Sequence, residues 1–157
     1  MIIVQGFISG LIATIIFDLF NQSLNYAYNI NKPKWFLLGR YFIGCTKSKY
    51  FRDSLEVDEA ENNELIWGYC IHYLIGIIYG LFYVFFNLLF FDYPSLLIAY
   101  LFGFFTVLGA WCFLMPFAYN LGFFASKSDQ QIKLLAQGLI GHFVFGTGLF
   151  IGYYITI

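Results

Sequence analysis

Charged side chains are scarce in this chain and favour neither sign. Eight Lys and Arg stand against nine Asp and Glu, and charged residues make up 11% of the 157, against roughly 25% in soluble domains. With no excess of cations to neutralise phosphates, nucleic acid is excluded as a partner. Cysteine is sparse as well: Cys45, Cys70 and Cys112, with no CxxC pair. An odd count, with Cys70 and Cys112 inside apolar segments, excludes a disulfide framework and reads as buried thiols. There is no phosphate loop, nucleophile elbow or zinc-protease motif, so no enzyme class is indicated. The opening residues Met1, Ile2, Ile3 and Val4 carry no basic segment, and no small-residue cleavage site follows the apolar run. A cleaved signal peptide is therefore not expected.

Apolar residues fill the space that charge leaves. They make up 61% of the chain, with 21 Phe and 13 Tyr. A water-soluble fold of this length could not hide so much apolar surface, so membrane lipid is the expected solvent. Crossing the hydrocarbon core takes about 20 mostly apolar residues. Four stretches qualify, at about residues 2–24, 65–91, 95–119 and 132–157. The turn between the second and third holds Asp92 and Pro94, with Ser95 placed to cap the next helix. Orientation follows from the cations. Lys32, Lys34, Arg40, Lys47, Lys49 and Arg52 lie between the first two spans, and Lys127 and Lys133 between the last two. The positive-inside rule puts both loops in the cytoplasm and both termini outside.

The first cytoplasmic loop, about residues 25–64, is too long for a simple connection. Pro33 suits a helix start, with Asn31 as its cap. The apolar run from Trp35 to Ile43 is too short to span and is expected to lie on, or dip into, the inner leaflet as a short helix. The fold class is thus all-α: one membrane-embedded four-helix bundle with an interfacial helix in its first loop.

The second and fourth spans share a pattern. Gly68, His72 and Gly76 recur as Gly138, His142 and Gly146, at the same spacing. More weakly, Gly6, Ser9 and Ala13 of the first span match Gly103, Thr106 and Ala110 of the third. Two parallel copies of a helix pair are expected. Ionisable groups within a bilayer are costly and face protein or water. Here they are Asp18, His72 and His142, with Glu64 at a helix mouth. Counting about 1.5 Å of rise per residue places all three in the cytoplasmic half at similar height. On the first span Gly6, Gly10, Thr14, Asp18 and Gln22 recur every four residues as one small and polar stripe.

Such a cluster reads in two main ways. It is hydrogen-bonding glue between small-residue faces of a structural or partner-binding bundle. Or it is a site, with Asp18 as base or counter-ion and the histidines as proton carriers or ligands. In the second case the protein would bind or carry a proton, an ion or a small molecule, and a pore would need a homodimer. A bis-histidine haem centre on His72 and His142 is a further alternative. Copper held by Cys70, Cys112 and Met115 has no supporting spacing, and no cofactor or metal is assigned.

The chain resembles a family of small bacterial membrane proteins, the domain-of-unknown-function family 2938. The resemblance rests on Gly10, Ala13, Thr14 and Asp18; on Gly39 and Arg40; and on Phe51, Arg52, Asp53 and Ser54. It continues through Glu64, Trp67, Gly68, His72, Tyr73 and Gly76, then Pro116, Gly122, Ala125, Ser126, His142, Phe145 and Gly146. Where the family often has a second proline after the one matching Pro116, this chain has Tyr119 and Asn120. The resemblance implies a multi-pass protein of the bacterial inner membrane and no particular activity. It also implies adding Arg40 and Glu64 to the candidate site, with Arg40 pairing with Asp18 or a lipid phosphate.

The charge pattern predicts that a phosphatase reporter, active only outside the cytoplasm, is active when fused to either terminus. A fluorescent reporter that matures only in the cytoplasm should stay dark there. A bright C-terminal fusion would overturn the assigned orientation.

Overall fold

The computed structural model describes residues 1–50, 56 and 58–157. The resemblance residues Phe51, Arg52, Asp53 and Ser54 lie outside the described residues. Helices α1 (Ile2–Tyr28), α2 (Trp35–Thr46) and α3 (Glu64–Leu88) come first. They are followed by α4 (Leu96–Gly109), which continues as a π-helix over Ala110–Ala118, and by α5 (Gln131–Tyr154). Among the described residues there is no strand. Four helices are long and apolar enough to cross a membrane: α1, α3, Leu96–Ala118 and α5. This is the helix complement of a membrane-embedded four-helix bundle, since a helix satisfies its own backbone where no water is available.

The expected start of α2 needs one correction. Lys34, not Asn31, occupies the position before the helix, and no side chain caps it. Of its residues, Trp35, Leu37, Leu38, Gly39, Arg40, Tyr41 and Gly44 are buried against protein. The π-helix follows from Pro116, which has no N–H to give to a carbonyl one α-turn back. The chain widens, so that Tyr119 N–H reaches back to Leu114 O at 2.9 Å. Asn120 then takes a left-handed conformation at φ 52° and ends the helix.

By contact the chain divides into two compact units. The first holds Met1–Pro33, Tyr73–Val107 and Leu139–Ile157. Its core is Ala13, Tyr83, Val84, Ala99, Phe145, Leu149 and Tyr153, ringed by Phe17, Tyr79, Ile98, Phe102 and Phe150. Aromatic edges meet faces there, as where Tyr83 and Tyr153 lie 6.1 Å apart at 87°. The small residues of α1 serve two neighbours. Gly6, Gly10 and Thr14 face Leu81, Gly80 and Gly76 of α3, whereas Ser9 and Ala13 face Gly152 and Gly148 of α5. A methyl group on Gly148 would lie 2.6 Å from the Cα of Ala13, and one on Gly152 equally close to the Cα of Ser9. Ser9 Oγ, brought this near, donates to Leu149 O at 2.8 Å.

The second unit holds Lys34–His72 and Leu108–Gly138. In it α2 crosses the first turns of α3 with Gly39 against the backbone of Glu64 and Gly68 against the backbone of Trp35. Tyr41 meets Phe113 edge to face, 6.2 Å between centroids.

The turn from α3 to α4 depends on a residue that periodicity does not mark. Asn87 is fully buried. Its amide NH2 donates to Tyr93 O at 2.8 Å, and its Oδ1 accepts the N–H of Ser95 at 2.8 Å. Ser95 in turn accepts the N–H of Ile98 with its hydroxyl, as expected of a cap. The helix therefore stops at Leu88, short of the expected residue 91, because Asn87 takes over the pairing of the turn. Replacing Asn87 by Ala leaves Tyr93 O and the Ser95 N–H, in part-buried contacts, without their partner, which should cost about 1–3 kcal/mol. Denaturant titration in micelles reads this directly, and an unchanged midpoint would refute the role.

Candidate functional site

The residues singled out from the sequence fall into both units. In the second unit, Arg40 projects from α2 onto the first residue of α3. Its Nε donates to Glu64 Oε2 at 2.7 Å and its Nη2 to Glu64 Oε1 at 2.8 Å, a two-pronged ion pair. Nη1 donates to Asp58 O at 2.9 Å, and Glu64 Oε2 also accepts the N–H of Glu61. The Arg40 side chain is 6% exposed and that of Glu64 14%. The bond to Glu64 pushes the guanidinium still higher than its ordinary value, so its charge is permanent. Within this unit the partner of Arg40 is the Glu64 carboxylate, which the planar fork suits because its two parallel N–H groups match one carboxylate.

His72, two turns further along α3, lies flat on Trp35 of α2, with centroids 3.8 Å apart and planes at 19°. Gly68 makes this stack reachable by letting the Trp35 backbone approach the α3 backbone. The glycine before His72 thus makes room for a neighbouring helix. In the same unit, Trp111 Nε1 and Tyr119 Oη are buried with no hydrogen-bond partner among the described residues.

In the first unit His142 sits on α5 where it faces α4. Its Nδ1 lies 2.9 Å from Thr106 Oγ1, and that hydroxyl lies 2.8 Å from Gly103 O. A methyl on Gly103 would come within 2.5 Å of the carbonyl of His142, so the two helix backbones meet at this level. Phe17 of α1 presents its ring at 69° to the imidazole, 5.8 Å away, and fills the space over Gly141. Asp18 follows Phe17 on α1 and is half-buried. Thr14, one turn earlier, is fully buried; its hydroxyl donates to Gly10 O at 2.8 Å and packs onto Gly76. That bond satisfies Thr14 within its own helix and gives it a packing role.

Sequence reasoning missed Thr106, Trp35 and Phe17 as neighbours of the histidines. Thr106 carried a signal, because it stands in the repeat opposite Ser9. Yet the two hydroxyls have different fates: Ser9 bonds Leu149 O, and Thr106 bonds the His142 ring. The expectation of buried thiols is corrected for Cys70, which lies on the outer surface of α3; all three cysteines are free. Among the described residues no group of three His, Cys, Asp or Glu lies together as metal ligands would.

Four apolar helices and polar groups held inside them define a multi-pass helical membrane protein. Residues 7–156 match the family described as Protein of unknown function (DUF2938), and the chain belongs to that family. No curated protein and no solved structure matches it.

The Arg40 and Glu64 pair can be tested alone. Breaking a buried pair from one side costs about 3–5 kcal/mol, whereas removing both partners costs far less. Arg40→Met and Glu64→Gln should each destabilise strongly and the double variant much less than their sum. Additive losses in a double-mutant cycle would show that the two groups do not stabilise one another.

Proposed function

We propose that this membrane protein binds and carries protons, with His142 and Asp18 as the exchanging groups. The observation that supports this most is the hydrogen bond between the His142 ring and Thr106, where the backbones of α4 and α5 meet at Gly103. A histidine changes charge near neutral pH, and one held in a fixed orientation within a membrane helix suits repeated gain and loss of a proton. Asp18 follows the residue whose ring packs on that imidazole, and a carboxylate on α1 would supply the counter-charge when the ring is protonated. His72 enters the same reading as a second proton carrier on α3, stacked on the indole of Trp35. Both termini outside the cytoplasm and an inner-membrane location complete the proposal.

The competing reading is a bundle without chemistry. It draws on the glycine contacts and on the Arg40 and Glu64 clasp, which need no ligand to explain them. Proteoliposomes carrying an internal pH-sensitive dye separate the two. Under an imposed proton gradient the wild-type protein should dissipate the gradient faster than protein-free vesicles. Asp18→Asn and His142→Ala should fall to that background, while Arg40→Lys, if inserted, should retain flux. Wild-type flux in Asp18→Asn would sink the proposal in favour of the structural reading.

A further inference from the structure

We infer that Thr106 is a positioning residue that fixes which nitrogen of His142 exchanges protons: Nδ1 keeps its hydrogen, and Nε2 is the atom that gains and loses one. The argument is one of counting hydrogens. A threonine hydroxyl has one hydrogen and can accept two bonds. Thr106 Oγ1 stands 2.8 Å from the carbonyl oxygen of Gly103 and 2.9 Å from His142 Nδ1. Gly103 O can only accept, so the hydroxyl hydrogen must point to it. Were the hydrogen turned instead towards Nδ1, two oxygen lone pairs would face each other at 2.8 Å inside a buried helix contact. With its hydrogen committed to Gly103, the hydroxyl can only accept from the ring, and Nδ1 must therefore carry a hydrogen.

The geometry leaves Thr106 little freedom to do otherwise. It is 5% exposed, and its donation to Gly103 O is the local bond that a threonine in a helix makes within its own turn. Gly103 holds α4 against the backbone of His142 itself, so the distance from hydroxyl to ring is set by backbone contact. Phe17 packs against the ring and limits its rotation. The imidazolium also carries a hydrogen on Nδ1, so the bond to Thr106 survives in both charge states. Proton exchange at Nε2 then needs no change of ring orientation. Sequence alone does not show this, because the aligned counterpart Ser9 bonds a backbone carbonyl, Leu149 O, and not a histidine ring.

The inference rests on the reading of His142 as a proton-exchanging group, and its test is separable from flux. Protein labelled with nitrogen-15 in histidine, in lipid at alkaline pH, reports the neutral tautomer of each ring from its two nitrogen shifts and their couplings to the ring carbons. A His142→Phe sample assigns the signals. The wild-type ring should show the hydrogen on Nδ1. Thr106→Val should lose that preference and Thr106→Ser should restore it, with the His72 signals unchanged in both. A wild-type ring protonated at Nε2 and bare at Nδ1 overturns the inference without regard to flux, and so does an unchanged tautomer in Thr106→Val. Nδ1 protonation in a protein that moves no protons would sink the functional reading and leave the tautomer assignment standing. If Thr106→Val does not insert, the wild-type spectrum still decides between the two tautomers.

Discussion

Where α1 crosses α3, the carbonyl of Gly6 and the amide of Gly10 face the Cα of Gly80 with no side chain from either glycine between them. Lipid tails are as apolar as leucine, so burial of apolar area does not by itself hold membrane helices together, and close backbone packing takes its place. The same contact recurs in other pairings. Gly148 and Gly152 bring α5 onto Ala13 and Ser9, Gly103 and Gly146 join α4 to α5, and Gly39 with Gly68 seats α2 on α3. Remove the glycines and each helix would stand off by at least a methyl group. The short hydroxyl side chains of Ser9 and Thr106 could then no longer reach across to Leu149 O and to the His142 ring.

The polar groups follow from that closeness. Each of Ser9, Thr14, Thr106 and Asn87 bonds a backbone group, and the ring of His142 bonds one of those hydroxyls in turn. In a medium without water an unpaired group would be expensive, so pairing is what allows these residues to be present at all. Arg40 and Glu64 obey the same rule with charge. Together with Asp58 O and the Glu61 amide, their hydrogen-bonding groups form one connected set where α2 meets the mouth of α3. Trp111 Nε1 and Tyr119 Oη, in and just beyond the π-helix at Pro116, depart from this pattern.

Much of this was legible in the sequence for identifiable reasons. The small and polar stripe of α1 predicted a contact face, and Gly6, Gly10 and Thr14 do form one against α3. The glycines spaced four residues from the histidines were visible as a pattern, and two of them meet a neighbouring backbone: that of Trp35 at Gly68 and of Ala99 at Gly146. The repeat was visible in the spacing, yet its two histidines acquired different surroundings: an indole face for His72, and a threonine hydroxyl with a phenyl edge for His142. A matching pattern along two helices does not specify which residues lie opposite them. Asn87 escaped notice because one amide at a helix end has no periodicity, and its bonds go to residues of a turn that forms only when α3 and α4 fold back.

By itself, the sequence determined how many helices are long and apolar enough to cross a membrane, and that its cations fall in the segments after the first and third of them. Lipid solvation depends on composition along a segment, and composition is what a sequence displays. It also determined the family, through residues scattered over nearly the whole length. Tertiary structure decided what each polar group touches. Thr106 and His142 are 36 residues apart, and a small rotation of α4 or α5 would separate them. That rotation is set by glycine contacts summed over the helix pair, and no local stretch of chain contains it. The four apolar helices could therefore be read in advance, while the partner of Arg40 and the orientation of the His142 ring could not.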